Sequence, residues 1–302
     1  MQRTQTPTKD SELDTKNSAI GADETNITDY KIPTSVRESR QTVSLNLKEI
    51  WAFHELLYFL VWRDIKVRYK QTALGVTWAV LQPFMTMVVF TIFFGKLAKI
   101  STEGFPGPIF YFSALLPWQL FAYALTNSSN SLVSNSDLIT KVYFPRLIIP
   151  LSSTIAGIVD FCIAFLVLIG MMLYYGITPT WTILLLPIFI LFAIATALAV
   201  SLWLSALNVK YRDVRFTVPF LTQFWLFITP IAYPSSLVPE KWRILYGLNP
   251  MAGVVEGFRW AILGKSSGVG PLMVVSGVIV IVMLIGGLIY FRHTERTFAD
   301  IV

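Results

Sequence analysis

Leu147–Tyr174 reads LIIPLSSTIAGIVDFCIAFLVLIGMMLY, 28 residues with a single charge, Asp160. A helix of ~20 mostly apolar residues crosses the hydrocarbon core of a bilayer, so this stretch is long enough to span. Five more candidates flank it: Leu74–Phe94, Pro108–Leu125, Trp181–Leu207, Phe216–Ile231 and Pro271–Phe291. Pro83 and Pro117 lie inside the first two and are expected to kink them. The segment Pro234–Gly264 is only half apolar and carries Pro239 and Pro250. It reads as short helices dipping into the outer leaflet.

Composition agrees with this pattern. The chain has 302 residues, 54% apolar and 14% charged, with mean hydropathy +0.60. Soluble domains carry roughly 25% charged residues, so too little polar surface is available to face water. A soluble enzyme, a disordered regulator and a fibrous protein are excluded. Cys162 is alone, and His54 and His293 lie far apart, so neither an internal disulfide nor a metal site is expected. The net charge of +6 is read as basic flanks of membrane spans rather than a nucleic-acid surface.

Residues 1–42 hold six Lys/Arg and seven Asp/Glu with few aromatics, which predicts a disordered tail. The tail has no leading apolar stretch of the kind a secretory signal peptide needs. Between 43 and 70, Leu47, Ile50, Trp51, Leu57 and Tyr58 recur at helical spacing, while Lys48, Glu49 and Glu55 share another side. That pattern predicts an amphipathic interfacial helix. The expected fold is therefore all-α and integral to the membrane. It has six transmembrane helices over 71–292, an N-terminal interfacial helix, re-entrant outer helices between spans five and six, and a short end at 293–302. Eleven Lys/Arg flank the spans on the tail side and six on the other, which places both termini in the cytoplasm.

Little suggests covalent chemistry. Gly264-Lys265-Ser266 fails as a phosphate loop, because position 259 is Arg where a Gly is required. No paired carboxylates, nucleophile elbow or metal cluster occurs, so the chain is not expected to be an enzyme by itself. Three segments on the expected inner side mix charge with aromatic residues: Arg63–Gln71, Ser134–Arg146 and Asn208–Val214. Charge for topology and docking onto a soluble partner both account for such mixtures. Ala197, Ser201 and Ser205 recur every fourth position, a stripe for close helix packing.

Several short tokens occur in order. They are Arg63-Asp64-Ile65-Lys66-Val67-Arg68-Tyr69-Lys70, Leu74-Gly75-Val76-Thr77-Trp78-Ala79-Val80-Leu81-Gln82-Pro83, Lys141-Val142-Tyr143-Phe144-Pro145-Arg146, Tyr211-Arg212-Asp213, Thr229-Pro230 and Leu248-Asn249-Pro250-Met251. With them the chain resembles the membrane subunits of type-2 ATP-binding-cassette exporters of polysaccharides and polyol phosphates, from about Leu60 to Gly264 and again in the last span. The long N-terminal tail departs from the family.

The resemblance implies a homodimer in the bacterial cytoplasmic membrane beside two copies of a separate ATPase. ATP and magnesium would be bound there, and this chain would hold no cofactor. The cargo implied is a glycan on a polyprenyl pyrophosphate lipid, such as O-antigen, capsule or teichoic acid. Lys141, Tyr143, Phe144 and Arg146 match the coupling segment that rests on the ATPase. Arg63, Arg68 and Lys70 fall in the cytoplasmic gate region, where they could gather the pyrophosphate or serve topology alone. Arg212 and Asp213 belong to the second inner loop. Phe216, Phe220, Phe224 and Phe227 share one helical face, and Trp118 and Phe121 sit in span two. These aromatics suit a glycan channel, and equally a lipid or interhelical face. For Asp160 three readings stand: a hydrogen bond within the bundle, a point on the glycan path, or a proton site, with Ser152, Ser153 and Thr154 as nearby hydroxyls. A membrane glycosyltransferase and a type-2 exporter of drugs or small lipids are the competing functions.

Overall fold

The computed structural model describes residues 47–70, 75–264, 270–295 and 298. The tail at 1–42, the Lys265-Ser266 pair and the positions from Gln71 to Leu74 lie outside the described residues. Among those described, every regular element is helical. The amphipathic segment forms α1 (Leu47–Ala52) and α2 (His54–Lys70). Then come α3 (Thr77–Phe90), continued by a π-helical stretch Thr91–Leu97, and α4 (Gly107–Ser134). A short α5 (Ser136–Lys141) leads to α6 (Ile148–Tyr174). A 3₁₀ turn Trp181–Leu185 opens α7 (Leu186–Lys210), followed by α8 (Val214–Ile228). Last are α9 (Glu240–Tyr246), α10 (Pro250–Leu263) and α11 (Pro271–Glu295).

Among the described residues, five helical stretches are long and apolar enough to cross a membrane: Thr77–Leu97, Gly107–Ser134, Ile148–Tyr174, Trp181–Lys210 and Pro271–Glu295. They coincide with five of the six expected spans. The fifth expected span, Phe216–Ile231, is the exception. It folds as the 15 residues of α8, about 22 Å at 1.5 Å per residue, against ~30 Å of hydrocarbon. Thr229 leaves the helix with extended backbone and Pro230 follows, so the helix stops there.

The bundle is built around α4. In its apolar window 78% of residues are buried, against 17% to 39% in the other four. Lipid tails are as apolar as leucine, so such helices associate through close packing rather than through water exclusion. The small residues expected to allow this do so: Ala197, Ser201 and Ser205 of α7 are fully buried, and Ser128 of α4 donates to Ser201 at 3.0 Å. Two apolar clusters flank the middle of the bundle. One joins Ile109–Leu125 of α4 to α10. The other joins Leu132 at the far end of α4 to Leu60, Phe144, Ile148, Val209 and Phe291. They mark the α10 end and the α5 end of the bundle.

Candidate functional site

Asp160 lies halfway along α6, where a charge in lipid costs ~2.5–3.5 kcal/mol on insertion scales. It faces protein. Arg68 forms an ion pair with it, and the Tyr69 hydroxyl donates to it. Both come from the last turn of α2, which runs beside α6 from Leu60 at the α5 end. Burial first, and then the bond to Asp160, hold the Tyr69 hydroxyl above the ordinary phenol range. The Arg68 guanidinium lies 4.3 Å over the Tyr123 ring, a cation–π contact. Gly157 makes room for that ring, since a Cβ there would stand 2.5 Å from it. Two of the three hydroxyls expected near it turn elsewhere within the chain. Ser152 and Thr154 instead bond Ile149 and Pro150 carbonyls of their own helix.

The other residues expected at the gate border two grooves. Arg63 pairs with Asp64 at 2.8 Å and shares a groove of about 450 Å³ with Arg68 and Asn130. Arg63 also lines a second groove, with Lys70, Phe59, Trp62 and Lys66. Arg63 thus borders both grooves, while spacing on a 3.6-residue helix turns Arg68 toward α6 and Lys70 away.

At the α5 end the basic–aromatic segment has an exposed and a buried half. Tyr143 is 90% exposed and Lys141 is exposed, its Nζ 3.3 Å from Asp137. Phe144 is buried in the end cluster. Arg146 is tied to α11: its backbone N–H donates to Glu295 Oε1 at 3.0 Å, and its guanidinium reaches the Glu295 carbonyl. Arg212 and Asp213 are exposed in the turn between α7 and α8. On α8, Phe216, Phe220, Phe224 and Phe227 form one outward face, 58% to 73% exposed.

Residues 55–263 match the family model described as ABC-2 type transporter. The chain belongs to that family. The ABC-2 relatives include an O-antigen export system permease protein RfbA of Myxococcus xanthus, 29% identical over 83% of this chain and 96% of that protein. A Klebsiella pneumoniae RfbA is 28% identical over 86% of this chain and all of its own length. The polysialic acid transport protein KpsM of Escherichia coli is 23% identical over 78% and 91%.

In this ABC-2 subunit Trp118 and Phe121 do not join the α8 face. They are 4% and 0% exposed, and Phe121 packs edge-on against Trp225 inside the core. Within the single chain both rings are taken up by the packing of α4 against its neighbours.

Two constellations escaped the sequence reading. Arg259, one of the six basic residues expected to flank the spans on the outer side, is fully buried on α10. It bonds Glu256 Oε1 at 3.0 Å and the Pro230 and Ile231 carbonyls at 3.1 and 3.3 Å, and stacks 3.8 Å over Phe110. Its i,i+3 spacing from Glu256 in an apolar helix was the available signal. The second is Asn249. It accepts from Trp225 Nε1 at 2.8 Å, donates to Thr229 Oγ1 at 3.1 Å and caps α10 through Met251 N–H. The Thr229-Pro230 and Asn249-Pro250 tokens therefore meet, and they fix the end of α8 to the start of α10.

Proposed function

We propose that this chain is the permease subunit of an ATP-driven exporter that carries a polyprenyl-pyrophosphate-linked polysaccharide, of the O-antigen type, across the bacterial inner membrane. The observation that carries the reading is the match to two O-antigen export permeases along 96% and 100% of their length, in a chain whose described residues hold five helices able to span a membrane. The chain works as a homodimer with both termini in the cytoplasm, beside two copies of a separate ABC ATPase that holds ATP and magnesium. The exposed α8 phenylalanines support a path between two copies, since four large rings stand outward on one side of a single chain. Lys141 and Tyr143 form the seat for the ATPase, with Phe144 and Arg146 as the anchor that passes motion inward. Two-state closure of an ATPase moves a channel only through such a contact. Deleting the gene should abolish the surface glycan and leave its lipid-linked form inside the cell. Normal surface glycan in the deletion strain refutes the function. Export of another polysaccharide is the second reading, favoured by the likeness to the polysialic acid transport protein KpsM, and the identity of the lost glycan decides between them.

A further inference from the structure

Along α4, Gln119, Tyr123, Asn127, Asn130 and Ser134 repeat at three- to four-residue intervals, so they form one polar stripe on a helix otherwise buried in apolar packing. The stripe runs from mid-span to the α5 end. It opens onto two adjoining cavities, one of about 280 Å³ in the middle and one of about 450 Å³ nearer the α5 end. Arg68, Tyr123 and Asn127 line both, so the two meet where Arg68 reaches Asp160. A polar stripe of this length cannot face acyl chains without leaving amides unsatisfied.

The inner cavity is shaped for a specific chemistry. Its polar walls are the amides of Gln82, Gln119 and Asn127 and the Arg68–Asp160 pair, and its aromatic wall is Trp78, 52% exposed. Among the described residues the side chains of Gln82 and Gln119 make no hydrogen bond, while Asn127 spends its N–H on the Tyr123 carbonyl and keeps its oxygen. Each amide offers both a donor and an acceptor, which matches hydroxyls that both donate and accept. The volume is close to the lower bound, ~300 Å³, of small-ligand pockets.

We propose that this crevice within one subunit is a binding site for a sugar unit: the three amides take its hydroxyls, Trp78 takes its C–H face, and the Arg68–Asp160 pair closes the floor. This rests on the polysaccharide-export reading and names where the chain first grips the sugar.

The test uses the full chain with its ATPase in phosphatidylethanolamine and phosphatidylglycerol vesicles, in a Cys162→Ser background. Single Gln119→Cys and Asn127→Cys chains are treated with a charged, membrane-impermeant thiol reagent. Both should be modified, and vesicles containing undecaprenyl pyrophosphate N-acetylglucosamine should slow modification roughly tenfold more than bare undecaprenyl pyrophosphate, the weight of one or two hydrogen bonds. Equal protection by the two lipids reassigns the crevice to the anion and overturns the proposal. No modification, no protection, or a disulfide between two copies of Asn127→Cys overturns it as well. In cells, Gln119→Leu/Asn127→Leu at normal membrane level should fail to restore surface glycan to the deletion strain. Full restoration refutes the crevice and leaves the export function standing, whereas surface glycan in the deletion strain itself refutes that function.

Discussion

Replacing Arg259 by Met should destabilise the subunit severely, and the geometry sets the size. The side chain is 1% exposed and its Glu256 partner 11%. Met fills similar volume but strands Glu256, which then keeps only the Ser235 N–H at 3.3 Å, and bares the Pro230 and Ile231 carbonyls. Breaking one side of a buried pair costs about 3–5 kcal/mol. Glu256 also borders an outer cavity, so water softens the loss toward the lower figure, about 3 kcal/mol. A domain of this size shifts about 2–4 °C per kcal/mol, so the melting point should fall by about 6–12 °C. Arg259→Met/Glu256→Met removes both charges and should recover roughly 2 kcal/mol relative to the sum of the single changes. Size-exclusion of detergent-purified protein after graded heating reads these shifts. A fall below about 3 °C for Arg259→Met, or a double variant as poor as the sum, refutes the argument that the ion pair locks α10.

At the α5 end, Tyr143→Ala should leave stability within about 0.5 kcal/mol but weaken co-purification of the ATPase, whereas Phe144→Ala should cost about 3–5 kcal/mol and lower the amount of protein. Asn249→Ala should cost about 2 kcal/mol by releasing Trp225, Thr229 and the α10 cap together, seen as a lower melting point and a red shift in tryptophan emission. Gly157→Ala should cost about 1–3 kcal/mol through its clash with Tyr123, and Tyr123→Ala in the same chain should relieve it, measured by heating as above.

Five spans were legible because length and apolarity alone decide them. The 15 residues of α8 were harder to bound, since the same apolar run continues past the point where Thr229 and Pro230 end the helix. Side-chain partners were less accessible still. Ser152 and Thr154 looked suited to Asp160, yet a hydroxyl in a helix bonds its own preceding turn at little cost. The true partners lie on another helix, and periodicity carries no information about tertiary neighbours. Aromatic residues at helical spacing fit a channel and a core equally well. Only packing distinguishes the outward Phe216 face from the buried Trp118 and Phe121.

The order of the chain gives the Asp160 contact a role in biogenesis. Tyr69 precedes Asp160 by 91 positions. At about 5–20 residues per second, the ribosome completes α2 several seconds or more before the acid of α6 emerges. Arg68 and Tyr69 are thus already made when Asp160 enters the membrane, so the charge need not wait in oil for a counter-ion still to be synthesised. Removing the early partner by Arg68→Leu would leave Asp160 to enter the membrane without its counter-ion on α2. Insertion of α6, and not the finished fold alone, would then register the loss.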